Sequence, residues 1–136
     1  MPILRAYRLF ISHSWRYSER YMRMVEFLNA APNFVWYNYS VPESKAYPAM
    51  RRAALEDELR DQIRPAQVVI ILGGMYINHS DWLQFEIDFS KALRKPIIGI
   101  YPWGGQRMPL AVQSAASELV NWNTASIVSA VRRWAM

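Results

Sequence analysis

The stretch Tyr76-Ile77-Asn78-His79-Ser80-Asp81-Trp82-Leu83-Gln84-Phe85-Glu86 carries the side chain best placed for chemistry, the carboxylate of Glu86. It follows an apolar run and Gly73-Gly74, and it opens a helical pattern. On a wheel of about 100° per residue, Trp82, Phe85, Phe89, Ala92 and Leu93 form one apolar arc. Leu83 and Ile87 form a second group, while Gln84, Asp88 and Lys91 make the polar face. Glu86 falls between the two apolar groups, beside Ser90 and one turn after Trp82. A charge in an apolar sector is costly, and such groups concentrate where a reaction needs them. That makes Glu86 the first candidate for chemistry. The competing reading is a glutamate that snorkels, or pairs with an arginine, at a helix edge.

The elements that must position this helix alternate in type. Tyr7 to Ile11 reads as a strand ended by Ser12-His13-Ser14, and Tyr17 to Ala30 as a helix with Tyr17, Tyr21, Met24, Val25 and Leu28 on one face. Phe34 to Tyr39 is aromatic and β-branched, hence a second strand. Ser40 to Pro48 holds two prolines and reads as a loop. Ala49 to Ile63 reads as a second helix, with Leu55, Leu59 and Ile63 buried and Glu56 and Arg60 at i, i+4 spacing. Gln67 to Leu72 is a continuous apolar run, which suits a strand covered on both faces. Ser80 is a suitable N-cap for the third helix, which runs to about Leu93 and stops at Lys95-Pro96. Ile97 to Tyr101 makes a fourth strand, Pro102 to Arg107 a loop, Glu118 to Asn121 a short fifth strand, and Thr124 to Trp134 a last helix.

Strands alternating with helices predict an α/β fold: a three-layer sandwich around a five-stranded parallel sheet. The flavodoxin-like order 2-1-3-4-5 fits. Its ligand crevice lies beyond the carboxyl ends of strands 1 and 3, where the strand order reverses. Ser12-His13-Ser14 and Gly73-Gly74 both fall at that rim, and the third helix starts near it.

Composition bounds the function classes. With 136 residues the chain has room for one domain, expected to span residues 1–136. There is no Cys, so thiolate chemistry, disulfides and cysteine-based zinc sites are excluded. Two histidines, His13 and His79, argue against a structural metal site. No apolar run is long enough to span a membrane, and the N-terminus lacks the shape of a signal peptide, so a cytoplasmic protein is expected. The net charge of +5 is spread along the chain, from Arg16, Arg20 and Arg23 to Arg132 and Arg133. Such diffuse charge reads first as a solvated surface, next as a site for a phosphate-bearing small ligand, and only third as a nucleic-acid surface.

Two motifs resemble one family. Tyr7-Arg8-Leu9-Phe10-Ile11-Ser12-His13-Ser14 is similar to the first strand of Toll/interleukin-1 receptor (TIR) domains. Tyr76-x-x-x-Ser80-x-Trp82-x-x-x-Glu86 resembles their third-helix motif, in which a Glu follows Ser-x-Trp. The run Trp36-Tyr37-Asn38-Tyr39-Ser40-Val41-Pro42 and the small size look most like short TIR-like proteins of bacteria and archaea, some of which act in Thoeris-type antiphage defence. The chain departs from the pattern at Arg8, where an acidic residue is common, and at His13, where Tyr is common.

The resemblance implies an enzyme that takes NAD as substrate, without a further cofactor or metal, and cleaves its nicotinamide–ribose bond with Glu86 as the catalytic residue. It implies NAD-derived signalling, through hydrolysis or through cyclisation to a nucleotide that reaches a downstream effector, and it implies self-association. Ser12, His13, Ser14, Trp82, Tyr76 and Ser80 are then the expected substrate-binding residues. Each also has a structural alternative. The serines can end a strand or cap a helix, Trp82 can be core, Tyr76 and Ser80 can shape the turn, and a lone His13 is commonly structural. The loop Ser40 to Pro48 reads as a lid or as mere shape, and Trp103 as a contact for a ligand or for a second subunit. The rival function is a non-enzymatic TIR-like interaction module. A phosphoacceptor receiver domain is excluded because Ser12-His13-Ser14 and Gly73-Gly74 stand where it needs acids. An FMN-binding flavodoxin is disfavoured because Ser14 to Ser18 holds no Gly for a phosphate loop.

Overall fold

The computed structural model describes residues 6–12, 19–39, 52–72, 80–101 and 110–135. Five strands alternate with five helices: β1 (Ala6–Ser12), α1 (Glu19–Ala30), β2 (Val35–Asn38), α2 (Arg52–Ile63), β3 (Val68–Leu72), α3 (Ser80–Ala92), β4 (Ile97–Ile100), α4 (Leu110–Ala115), β5 (Glu118–Val120) and α5 (Thr124–Trp134). The strands form one parallel sheet in the order β2-β1-β3-β4-β5. The strand order reverses between β1 and β3, which are hydrogen-bonded neighbours with Leu9 opposite Val68 and Ser12 opposite Ile71. The expected lid at residues 40–48, the turn Gly73-Gly74 and the loop with Trp103 lie outside the described residues.

The apolar run Val68–Leu72 is buried at every position, because alternate side chains enter different cores. Val68, Ile70 and Leu72 join Leu9, Ile11, Ile98, Ile100 and Val120 on the face covered by α1 and α5, where Met24, Leu28, Ile127 and Val131 pack. Val69 and Ile71 join Phe10 and Ile97 on the other face, with Leu59 and Ile63 of α2, Ile87 of α3 and Val112 of α4. The helical stripes of the sequence reappear in α1, where Met24 and Leu28 are buried while Arg23 and Glu26 are exposed. In α2 the pair Glu56 and Arg60 forms an ion pair at 3.8 Å, and Arg60 also reaches Asp57 at 3.3 Å.

Three features differ from the sequence expectation. The six-residue α4 was absent from it, since Leu110 to Ala115 is too short to display a helical period. The Phe85 and Phe89 arc of α3 is only half-buried. The two rings stack at 6.2 Å and lie under the guanidinium of Arg60, at 5.2 and 5.8 Å, with Arg64 at 6.0 Å from Phe89. Cationic planes from α2 and the turn that follows it cover them where the wheel would have placed hydrophobic core. Ser80 is itself the first residue of α3 rather than the residue preceding it.

Helix α3 ends in a Schellman arrangement. Arg94 takes a left-handed φ of 57°, the Arg94 N–H donates to the Lys91 carbonyl at 2.9 Å, and the Lys95 N–H donates to the Ser90 carbonyl at 2.8 Å. Pro96 then starts the run into β4, and its carbonyl accepts from the Val69 N–H at 3.0 Å. At the same rim of the sheet, the Arg8 side chain donates to the Pro65 carbonyl at 2.7 Å. Lys95 is held below the ordinary lysine range, first by partial burial and then by repulsion from Arg8.

At the far edge, Glu118 of β5 anchors the end of α5. It accepts from Arg133 through both nitrogens, at 2.6 and 3.1 Å, and from the Trp134 indole at 2.9 Å. Hydrogen bonds from Arg133, then from Trp134, hold its carboxyl below the usual carboxylate range.

Two expectations follow. A non-glycine residue in the left-handed region is strained, so Arg94→Gly is expected to raise stability by about 0.5–1 kcal/mol in urea unfolding; a loss of stability would contradict the cap described here. Glu118 has a lowered folded-state value, so its stabilisation is present above the ordinary carboxylate range and is lost as pH falls through the lowered value. The contribution is on the order of 1 kcal/mol or less, since the pair is partly exposed. Melting temperatures recorded across that acid range should converge for wild type and Glu118→Gln as pH falls, and should differ most near neutrality.

Candidate active site

Chemistry in this chain needs a charged or nucleophilic group held where the sheet can present it. Parallel sheets present ligands at the carboxyl ends of their strands, where the strand order reverses. Here that point lies between β1 and β3. Ser12 is the last residue of β1, and α3 begins after β3 on the same side of the sheet. Glu86 lies six residues into α3, about 9 Å along the axis from Ser80 at 1.5 Å per residue.

Glu86 has zero solvent exposure, and so does Ser90. They are the two buried polar or charged residues among the described residues, and they lie one turn apart on the same helix. The stripe of α3 that is fully covered therefore contains Glu86, Ile87 and Ser90. Its outer side carries Asp88 and Lys91, which are exposed, and Gln84 donates to Asp88 at 2.9 Å. The wheel anticipated a carboxylate in an apolar sector. The structure adds that its Oε2 is removed from solvent. The Ser90 hydroxyl donates to the backbone carbonyl of Glu86 at 2.6 Å.

The other residues named from the sequence fall as follows. Ser12 is in β1, and Ser80 and Trp82 are in the first turn of α3; their side chains lie outside the described residues, as do His13, Ser14 and Tyr76 altogether. The topology brings the end of β1 and the start of α3 to one rim, and that is as far as it joins them. Ser90 was noted from the sequence only as a neighbour of Glu86. The signal that could have raised it was a hydroxyl at i+4 in the sector where an apolar residue packs best.

A surface cavity of about 460 Å³ lies elsewhere, lined by Tyr101, Glu118, Asn121, Ser126, Ser129 and Arg133 at the β5 edge. Its charges are already matched, because Glu118 and Arg133 bind each other. Glu86 is the stronger candidate, because a buried carboxylate is a better sign of function than an open groove with neutralised charges. No group of His, Asp and Glu that could hold a metal ion occurs among the described residues. Among them also, no helix is long and apolar enough to cross a membrane.

A group retained for reaction rather than for folding can be neutralised without loss of stability. Glu86→Gln, which keeps the shape, is expected to unfold within about 1 kcal/mol of wild type or to be more stable. Thermal and urea unfolding check this, and a loss of several kcal/mol would make the carboxylate a structural partner.

Comparison with known proteins gives two findings. The sequence pattern of the family described as "Thoeris protein ThsB, TIR-like domain" matches residues 10–107. Among solved structures, the chain is similar in fold to a CMP N-glycosidase, BcmB, from Clostridium botulinum. The TM-score is 0.56 at 14% identity, covering 93% of this chain and 99% of that one. No match was found among curated proteins.

Proposed function

Because the chain belongs to the TIR-like domain family of the Thoeris protein ThsB, we propose that it cleaves the N-glycosidic bond of a ribosyl nucleotide, with NAD as the substrate and Glu86 as the catalytic residue. The observation that carries this is the complete burial of one carboxylate in a helix that starts at the ligand rim of the sheet. The matched residues include that carboxylate and the end of β1. The CMP N-glycosidase of similar fold supports the reaction class, since CMP and NAD both join ribose C1′ to a ring nitrogen.

The chemistry suits a single carboxylate. In NAD the nicotinamide nitrogen is already cationic. The C1′–N bond breaks with its electron pair passing to that nitrogen, which leaves neutral without an added proton. The ribose left behind is oxocarbenium-like, and an anionic carboxylate beside it stabilises the positive charge. Glu86 in a low-dielectric stripe acts more strongly than the same group in water. The cation is then captured by water, giving ADP-ribose after loss of a proton, or by an adenine nitrogen, giving a cyclic nucleotide. A product of either kind would serve in defence or signalling through a downstream effector.

Glu86 is fully covered in the free protein. Reaction therefore requires that what covers it be displaced, either by substrate or by association of one copy with another. Activity per molecule is accordingly expected to rise with protein concentration or with a crowding agent.

The test is incubation of purified protein with NAD, and in parallel with CMP, followed by chromatographic separation of products. Wild type should release nicotinamide, while Glu86→Gln should lose at least about a hundredfold in kcat. Full turnover by Glu86→Gln would remove Glu86 from the mechanism. Release of cytosine from CMP with NAD left intact would keep the reaction class and change the substrate.

A further inference from the structure

We propose that Ser90 is a positioning residue for Glu86, joining the backbone carbonyl of that residue to the centre of the sheet through a line of three hydrogen bonds and the Lys95–Pro96 peptide link; this rests on Glu86 being the reacting group. Ser90 is one turn farther from the rim than Glu86, about 15 Å along α3 from Ser80. At that depth it acts through Glu86 rather than on the substrate.

Three bonds make the line. The Val69 N–H in the central strand β3 donates to the Pro96 carbonyl at 3.0 Å. The Lys95 N–H donates to the Ser90 carbonyl at 2.8 Å, inside the cap that ends α3. The Ser90 hydroxyl donates to the Glu86 carbonyl at 2.6 Å. A serine is thereby tied at both ends, by its carbonyl to the stop of the helix and by its hydroxyl to the backbone of Glu86.

The chemistry of that last bond is specific. A hydroxyl that donates back to the i−4 carbonyl slightly disfavours the helix and bends it. It does so here at zero exposure, where alanine or leucine would favour the helix more. The local cost has a geometric result. A bend at this turn changes the angle at which the Glu86 side chain leaves the helix. Small displacements of a reacting group cost large factors in rate, so a bond of this kind shows in turnover before it shows in binding.

The test compares Ser90→Ala, which removes the donor, Ser90→Cys, which keeps the volume with a weak donor, and Ser90→Thr, which keeps the hydroxyl. For each, kcat and KM toward NAD are measured, and the ¹³C signals of the Glu86 carbonyl and carboxyl are recorded on the free protein. Ser90→Ala should lose about tenfold in kcat with KM within about twofold of wild type. Its Glu86 signals should move, Ser90→Thr should restore both, and Ser90→Cys should fall between. If Ser90→Ala does not fold, the contrast between Cys and Thr carries the same information. Unmoved Glu86 signals, wild-type kcat in Ser90→Ala, or a loss confined to KM would each overturn the proposal. The signals need no turnover, so a protein that leaves NAD intact sinks the proposed function while the positioning claim is still judged. Loss of activity in Glu86→Gln with wild-type kcat in Ser90→Ala sinks the positioning claim alone.

Discussion

A carboxylate with no solvent exposure, on the helix stripe that is fully covered, is the constraint around which this molecule is arranged. Burying such a group works against folding, since water solvates a carboxylate better than an apolar core does. The rest of the chain offsets that cost with an apolar sheet. All five residues of β3 and all four of β4 are buried. A strand covered on both faces is the stiffest platform this topology offers, and α3 joins those two strands. The carboxylate is thus carried by the connection between the most deeply buried strands.

The supporting contacts follow the same logic. One edge of α3 is covered by Arg60 of α2, laid over Phe85 and Phe89, and by Arg64 just beyond α2, laid over Phe89. Its end is fixed by the left-handed turn at Arg94 and by the bond from Lys95 to Ser90. Its interior is tied by the hydroxyl of Ser90. Such a scaffold holds one side chain on a rigid element.

Much of the fold was legible because period and composition agreed. Gln67 to Leu72 could only be a doubly covered strand, and Thr124 to Trp134 matches α5 residue for residue. The strand order followed from parallel connectivity and the rim from the strand order. The rest was hidden for identifiable reasons. Six residues of α4 cannot display a helical period. The wheel ranks Phe above Glu for burial, yet Arg60 can cover a ring that faces outward, whereas nothing in a helical wheel represents a neighbouring helix. The stop of α3 was read from Lys95-Pro96, but the left-handed turn falls on Arg94, a residue type with no preference for it. At the site, the place of Glu86 was legible as a charge out of pattern. The part played by Ser90 was not, because a serine in sequence does not disclose which carbonyl it meets.

The central claim is that the buried carboxylate meets the ribose of a nucleotide. A crystal structure of Glu86→Gln grown with intact NAD tests it most directly. The account predicts the nicotinamide-side ribose at the β1–β3 rim, with its C1′ in contact with the side chain at position 86. NAD seated elsewhere, such as in the groove between β5 and α5, with position 86 still fully covered, would contradict it.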